Sequence, residues 1–533
     1  MAKTDQGASG KGSASSRRSS RGGKKRRSPE EQGEEMWASL ASDSINEAGL
    51  GLVTVRHYCQ GIGDSHLLGF PKDDGDMFWM LIDCGIHSSV SGGSKTMDTI
   101  VADIAEQTGG VLDVLVVTHE HMDHVSAFLT ASDRFAKFTV RQVWMAWTED
   151  EKDPQAKQID KFKRQAIEVL RMTSLKLNGA AGSGGYLSEL GRSVDQLMGF
   201  HFGVKGERVR RARDAAKALC EGGAEKVLYC EPNDPPMTLA GVPNVRVYVL
   251  GPPRSELLGV TDRKSEMYEL GGAPSSRIAM ALSRGMGMLG DTSGDQYDAY
   301  APFDAHVGAN LKDLLDGNAI AFKENDAVEK REAENLQAIF RDRYFGASPQ
   351  EGDQSWRRID LDWLGVSADL AMQLDDKTNN SSLVLAFELI DTGRVLLFAG
   401  DAQIGNWLSW QDVEWRVGDK VVRGPDLLKQ TVYYKVAHHG SENATAKQKG
   451  LELMTNKDLC AFVPTNAVDA ANVGWKKMPF DPILKALDER CRGRVNRADD
   501  PQPNGDGGTS PKKGGSIKAV DRVDGLWVEV KVR

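Results

Sequence analysis

The chain is 533 residues long, 40% hydrophobic and 27% charged, with a formal net charge of −9. That length exceeds one small core and implies one large domain carrying an insertion, or two to three domains. No run of about 18 apolar residues occurs, so nothing reads as a membrane span, and the basic N-terminus lacks the apolar stretch of a secretory signal. The six cysteines, Cys59, Cys84, Cys220, Cys230, Cys460 and Cys491, are scattered without a CxxC pair. Their spacing argues against a cysteine zinc site or a disulfide scaffold and suits a reducing, cytoplasmic setting.

Charge is unevenly spread. Residues 1–28 carry nine Lys/Arg and one acid, Asp5, which leaves an acidic body behind a basic tail. Residues 1–35 are Ser/Gly/Lys/Arg-rich without periodicity and are expected to be a disordered tail. Such a tail is a candidate contact for nucleic acid.

From Val53 the pattern turns strand-like. "VTVRHYC" alternates, "HLLGF" follows a glycine-containing turn, and "MFWMLIDCG" is a buried run. A helix is predicted over 97–108, then the strands "VLDVLVVTH" and "VRQVWMAW". Residues 150–225 read as helical, and "VRVYVLGPP" is a further strand. The polar, Gly-interrupted and partly helical segment 254–375 reads as an insertion, because strands resume after it at "SSLVLAFEL", "RVLLFAGD" and "VYYKVAHHG". "LCAFVPTN", a helix near 481–491, "GRVNRAD" and "GLWVEVKV" close the chain, with a flexible hairpin loop expected between the last two.

The strongest chemical signal is "VLVVTHEHMDHVSAF". An apolar strand ends at Thr118, and His119, His121, Asp123 and His124 follow within six residues. Imidazole and carboxylate suit zinc and similar divalent ions, and four ligands this close can serve two ions, His119 with His121 and Asp123 with His124. "VLLFAGDAQ" runs a second strand into Asp401, a carboxylate able to bridge two cations or simply to cap a helix. "VYYKVAHHGSENAT" places His438 and His439 after a third strand.

HxHxDH, then Gly-Asp, then His-His-Gly-Ser, in that order, resemble the metallo-β-lactamase superfamily. The closer resemblance is to its ComEC-like branch, the hydrolase domain of DNA-uptake channel proteins. "CQGIGDSHLL" matches that branch's Gly-Gln-Gly-Asp turn through Gln60, Gly63 and Asp64, with extra spacing. Asp83-Cys84-Gly85 matches its Asp-x-Gly, and Asn379, Asn380, Ser382, Leu383, Val384 and Leu385 match its Asn-Asn-x-Ser-Leu-Val-Leu segment. The resemblance covers roughly 50–255 and 376–533. It implies an α/β (α+β) fold, an αββα sandwich of two mixed sheets flanked by helices. The domain's halves would be 50–255 and 376–533, separated by a partly helical insertion at 256–375.

The resemblance further implies that His119 and His121 hold a first metal. Asp123, His124 and His438 would hold a second, with Asp401 bridging and Asp83 orienting a ligand histidine. His438 is preferred over His439 because it comes directly off the strand, leaving His439 beside the site or facing substrate. The histidine most superfamily members add to the first metal has no clear counterpart. His201 and His306 are poor substitutes, and Asn380 with water could complete that ion. Lys435 could neutralise substrate charge, whereas Trp144, Trp147 and Trp407 are more readily core residues than base-stacking ones.

These expectations amount to a metal-dependent hydrolase with two divalent ions, zinc or manganese, acting through a metal-bound hydroxide. Asp123, Asp401 and His439 are its catalytic candidates. The leading substrate is a phosphodiester, as a nuclease or nucleotide phosphodiesterase. The alternatives are a carbonyl hydrolase acting on a lactone, thioester or amide, and a non-catalytic scaffold with a degenerate site. The insertion at 256–375 is a candidate surface for a protein partner. Fold alone does not choose among them.

Overall fold

A computed structural model describes residues 52–179, 207–268 except 262, 374–500 except 473, and 514–533, with short pieces between 331 and 353. The basic tail, His201, His306 and most of 256–375 lie outside the described residues.

Strands β1 (Val53–Tyr58), β2 (Ser65–Pro71), β3 (Met77–Cys84), β4 (Val111–Val117), β5 (Thr139–Ala146) and β6 (Leu228–Cys230) come first. They are followed by β7 (Met237–Leu239), β8 (Val242–Gly251), β9 (Val384–Leu389), β10 (Arg394–Phe398), β11 (Thr431–Lys435), β12 (Cys460–Val463) and β13 (Val495–Arg497). Strands β14 (Ile517–Val523) and β15 (Trp527–Val532) end the chain. One sheet has the order β14-β15-β1-β2-β3-β4-β5-β6, and the second has β13-β12-β11-β10-β9-β8-β7. Each is mixed: β3 to β6 pair in parallel, as do β10 to β13, and the remaining pairs are antiparallel.

The two-residue period of a strand explains how the sheets stack. In β4, Val114 and Val116 point inward to Leu68, Met80, Val247 and Leu385, whereas Leu115 and Val117 point outward. The outward row is covered by Ile100, Val101 and Ile104 of the helix Gly93–Thr108 and by Val209, Ala212 and Ala216 of the helix Glu207–Ala218. Strand β10 repeats the logic, with Leu396 and Phe398 inward and Val395 and Leu397 outward. Its outward row meets the layer built from Trp407, Leu427, Ile483 and Leu487. The result is the αββα sandwich that the sequence implies, and burial of both faces explains why the parallel strands read as apolar runs.

Strands β8 and β9 are antiparallel neighbours, with Val384 opposite Gly251. The chain therefore leaves this sheet at the end of β8 and re-enters it beside the point of departure. One expectation fails. Residues 495–497 and 527–532 do not form a hairpin, because β13 is the edge of one sheet and β15 lies in the other. The true hairpin is β14–β15, closed by the short turn between Val523 and Trp527. A further hairpin, Glu414–Val417 with Lys420–Arg423, was also not anticipated.

Candidate metal centre

The parallel strands β3, β4, β10 and β11 run toward one edge of the sandwich, and the candidate residues follow their C-terminal ends. Asp83 lies at the end of β3, and the HxHxDH residues follow β4. Asp401 follows β10, and the His-His pair follows β11. Loops after parallel strands are the usual place for a ligand site in such sheets.

Tight backbone packing brings the first two segments together. Gly63 adopts φ +130°, and a Cβ there would lie 2.5 Å from Gly85 O; a Cβ on Gly85 would lie 2.4 Å from the Asp123 carbonyl carbon. Glycine at both positions lets the turn at Asp64 and the end of β3 press against the HxHxDH turn. The contact is sealed by Asp64 N–H donating to Asp123 O at 3.0 Å and Gly85 N–H donating to Asp64 O at 3.1 Å.

Two groups of side chains converge there. His119 Nε2 faces His121 Nδ1 at 3.0 Å, while the far side of His119, Nδ1, meets Ser382 Oγ at 3.2 Å. His121 Nε2 lies 3.4 Å from Asp375 Oδ1. Beside this pair, His439 Nε2 sits 3.0 Å from Asp123 Oδ2 and 3.3 Å from Asp401 Oδ2. His124 Nε2 sits 3.0 Å from the same Asp401 oxygen. One ligand atom from each of Asp123, His124, Asp401 and His439 lies within 4.8 Å of the others, and all four residues are buried.

The electrostatics match the crowding. Burial opposes a charge on His124, but Asp401, Asp83 and Asp123 outweigh it and hold its pKa well above the ordinary value. His439 likewise overcomes burial through Asp401 and Asp123 and is pushed up to about 10. Burial works against the Asp123 and Asp401 carboxylates, yet the charges of His124 and His439 keep both well below the usual range. Burial and the neighbouring His124 charge drive His119 well below its usual value. The carboxylates of the centre thus favour positive charge beside them, here carried by His124 and His439.

The donor set fits a divalent ion. Imidazole nitrogens and carboxylate oxygens are its ordinary ligands, and Asp401 Oδ1 is buried without a hydrogen-bond partner. Residues 61–205 match the family model described as the metallo-beta-lactamase superfamily.

The match marks a metallo-β-lactamase superfamily domain at residues 61–205. The matched range holds Asp64, Asp83 and the HxHxDH residues, while Asp401 and His439 lie beyond it and are brought in by the second sheet. The match at 61–205 and the buried His/Asp cluster suggest a metal-dependent hydrolase, and domains of that superfamily typically bind divalent metals, usually zinc. No curated protein and no solved structure matches the chain.

The structure places the candidates as follows. His119, His121, Asp123, His124 and Asp401 come together as expected from their positions after strands. Asp83 lies 2.8 Å from His124 Nδ1 and accepts from Thr118 N–H at 2.8 Å and Thr118 Oγ1–H at 2.6 Å.

His438 and His439 exchange places relative to the sequence expectation. Strand β11 stops at Lys435, so neither histidine comes directly off it. Both adopt left-handed backbone, φ 39° and 51°, and this tight turn sends the two rings apart. His439 joins Asp123 and Asp401, while His438 contacts Asn379 Nδ2 at 3.0 Å and Ser441 Oγ at 2.6 Å. Asn380 is also engaged away from the centre: its Nδ2 donates to the carbonyls of Leu258 at 2.8 Å and Val260 at 2.9 Å, and its Oδ1 accepts from Asn406 N–H.

Lys435 is fully buried, paired with Asp64 and 3.9 Å from Asp401 Oδ1. Burial works against its charge, but Asp64 and Asp401 hold its pKa above the ordinary value. Trp144, Trp147 and Trp407 are buried; Trp147 donates to Pro252 O and Trp407 to Ala444 O. Sequence reasoning gave no role to Asp64, although the "CQGIGD" turn displayed it, and it overlooked Asp375, which no motif marks.

Among the described residues no helix is long and apolar enough to cross a membrane.

Proposed function

We propose that this chain is a phosphodiesterase acting on nucleic acid or a nucleotide at a centre of two divalent cations, zinc or manganese. The observation that carries the reading is the buried quartet of Asp123, His124, Asp401 and His439, adjoining the facing nitrogens of His119 and His121. His119 would hold one cation through Nε2 and His121 through Nδ1. Asp123, His124 and His439 would hold the other, and Asp401, whose second oxygen has no hydrogen-bond partner, would join them. Divalent cations in such a centre supply Lewis acidity, lowering the pKa of water and stabilising charge on substrate oxygens.

The protein's own groups do the rest. Asp83 fixes the tilt of His124. Asp123 and Asp401 are the carboxylates placed to take up the proton that an attacking water loses. Lys435 holds part of the negative charge in check from beneath Asp401. Two cations held by these residues would supply the charge stabilisation that displacement at phosphorus needs, and the ComEC-like features of the sequence agree with a nucleic-acid substrate.

The test is elemental analysis for metal, paired with turnover of bis-p-nitrophenyl phosphate and of single-stranded DNA, by wild type and Asp123→Ala. About two metals per chain, with turnover abolished by chelator and by the substitution, is the expected result. Tightly held metal with turnover only of nitrophenyl esters or lactones would replace the phosphodiesterase with a carbonyl hydrolase. Absence of bound metal would overturn the enzymatic reading.

A further inference from the structure

Between the two sheets, in a core that is otherwise apolar, lies a file of buried polar side chains that the reaction does not call for. Tyr433 Oη meets His57 Nε2 at 2.7 Å, and His57 Nδ1 meets His66 Nδ1 at 2.9 Å. His66 Nε2 lies 3.5 Å from Asp64 Oδ2, and the same carboxylate is paired with Lys435. His57 is stacked on Phe462 with ring centroids 3.7 Å apart, so its ring is not free to turn. Burying such groups costs free energy unless each is satisfied.

Proton counting gives the file a direction. Burial holds both imidazoles below their usual pKa, so each ring is neutral and carries one proton. The Nδ1 to Nδ1 contact needs one of those protons. If His66 supplied it, its bare Nε2 would face a carboxylate, acceptor against acceptor. If His57 supplies it, His57 Nε2 accepts from the tyrosine hydroxyl and His66 Nε2–H points at Asp64. Only the second arrangement avoids setting two acceptors face to face, with His66 Nε2 approaching Asp64 Oδ2 at 3.5 Å, just short of a hydrogen bond. Asp64 Oδ2 thus faces two donors, Lys435 and His66, and the carboxylate is locked.

Its other oxygen points toward the centre. Asp64 Oδ1 and His439 Nδ1 are both buried, both lack a hydrogen-bond partner, and lie 3.8 Å apart. Across the site, Asp83 holds the Nδ1 of His124 in a 2.8 Å hydrogen bond while the ring's Nε2 faces Asp401, the arrangement that Asp64 and His439 approach at 3.8 Å. We infer that Asp64, held by Lys435 and by the Tyr433–His57–His66 file, is the positioning residue for His439, accepting its Nδ1–H so that Nε2 is presented to the metal. The inference rests on the metal-centre reading above. It assigns a task to the "CQGIGD" turn and explains why two histidines are buried between the sheets.

The test compares zinc binding by three proteins, measured by competition with a chromophoric chelator, alongside their metal-free thermal midpoints. They are wild type, Lys435→Met, and Asp64→Leu combined with Lys435→Met. The double variant removes the charge pair together, so no buried charge is left alone. Loss of a carboxylate behind a ligand histidine is expected to weaken binding about 10–100-fold. That loss should appear between the double variant and Lys435→Met, at one of two zinc equivalents, and should not follow the metal-free midpoints, since Lys435→Met leaves the Asp64 charge unpaired and is the less stable of the two. Asp64→Asn combined with Lys435→Met keeps a neutral acceptor and the side-chain shape, and should recover part of the affinity even if the leucine variant folds poorly. Equal zinc affinity with and without the Asp64 carboxylate would overturn the inference while leaving the metal centre standing. Failure of the wild type to bind zinc or manganese would overturn both.

Discussion

Asp83 and His124 meet at 2.8 Å through Oδ2 and Nδ1, and the opposite nitrogen of the same ring lies 3.0 Å from Asp401. The ring is thus gripped at both ends by residues from different sheets. Because Asp83 also receives two hydrogen bonds from Thr118, it ties the end of β3 to the HxHxDH turn. Asp83→Ala should therefore weaken metal binding about 10–100-fold and lower stability by roughly 1–3 kcal/mol through the unsatisfied Thr118 donors. Zinc titration and thermal unfolding of the metal-free protein measure the two effects separately. A variant with unaltered zinc affinity would show that the grip on His124 is dispensable.

Neighbouring histidines should behave differently. His439→Ala should remove one zinc equivalent and abolish turnover, because His439 faces both Asp123 and Asp401. His438→Ala should retain the full metal complement, since its ring contacts Asn379 and Ser441. Metal content of the two variants, measured side by side, decides between them, and the reverse pattern would restore the assignment that strand position suggested.

Asn380 offers a contrast between structural and metal roles. Its amide donates to carbonyls in the segment after β8, and its oxygen receives the Asn406 N–H. Asn380→Ala should cost about 1–3 kcal/mol by leaving buried groups unpaired, with zinc affinity unchanged. A selective loss of zinc affinity without a drop in unfolding midpoint would instead place Asn380 on the metal.

A pH-dependent stabilisation is expected at the start of the helix Pro154–Gly179. Asp153 Oδ1 accepts from the N–H groups of Gln155 and Ala156, both at 2.8 Å, and Oδ2 pairs with Arg254. Partial burial opposes the carboxylate charge, but these donors outweigh it and hold the pKa below the ordinary value. A depressed folded-state pKa means the stabilisation is present above the unfolded value, about 3.9, and is lost as pH falls through the folded one. Asp153→Ala should cost about 1 kcal/mol at pH 7. The gap between variant and wild-type unfolding midpoints should narrow once the pH drops below about 4; a constant gap would mean that the ionised cap is not what stabilises the helix.

Much of this was legible in the chain because local pattern and global position agree. Apolar runs such as Val114–Val117 announce buried strands, and a ligand cluster directly after one is confined to a sheet edge. What could not be read are relations set by backbone sign and by distance along the chain. Nothing in "AHHG" shows that both histidines take positive φ, which decides which ring turns inward. Asp64 and Lys435 are 371 positions apart, so the pair exists only once two sheets face each other. The predicted hairpin before "GLWVEVKV" failed for the same reason: turn composition marks where a chain bends, not which sheet receives it.

The adjacency of Gly251 and Val384 also bears on how such a protein can change over generations. A detour that begins and ends at neighbouring strands is a closed excursion, and the entropy of closing it rises only with the logarithm of its length. Sequence between those two points can therefore lengthen, shorten or be exchanged with little disturbance to the sheet pairing. Its last residues nonetheless return beside His121, where Asp375 lies. Drift in that excursion would reach the chemistry through Asp375 and through Ser382, whose hydroxyl meets His119, leaving the ligands themselves untouched.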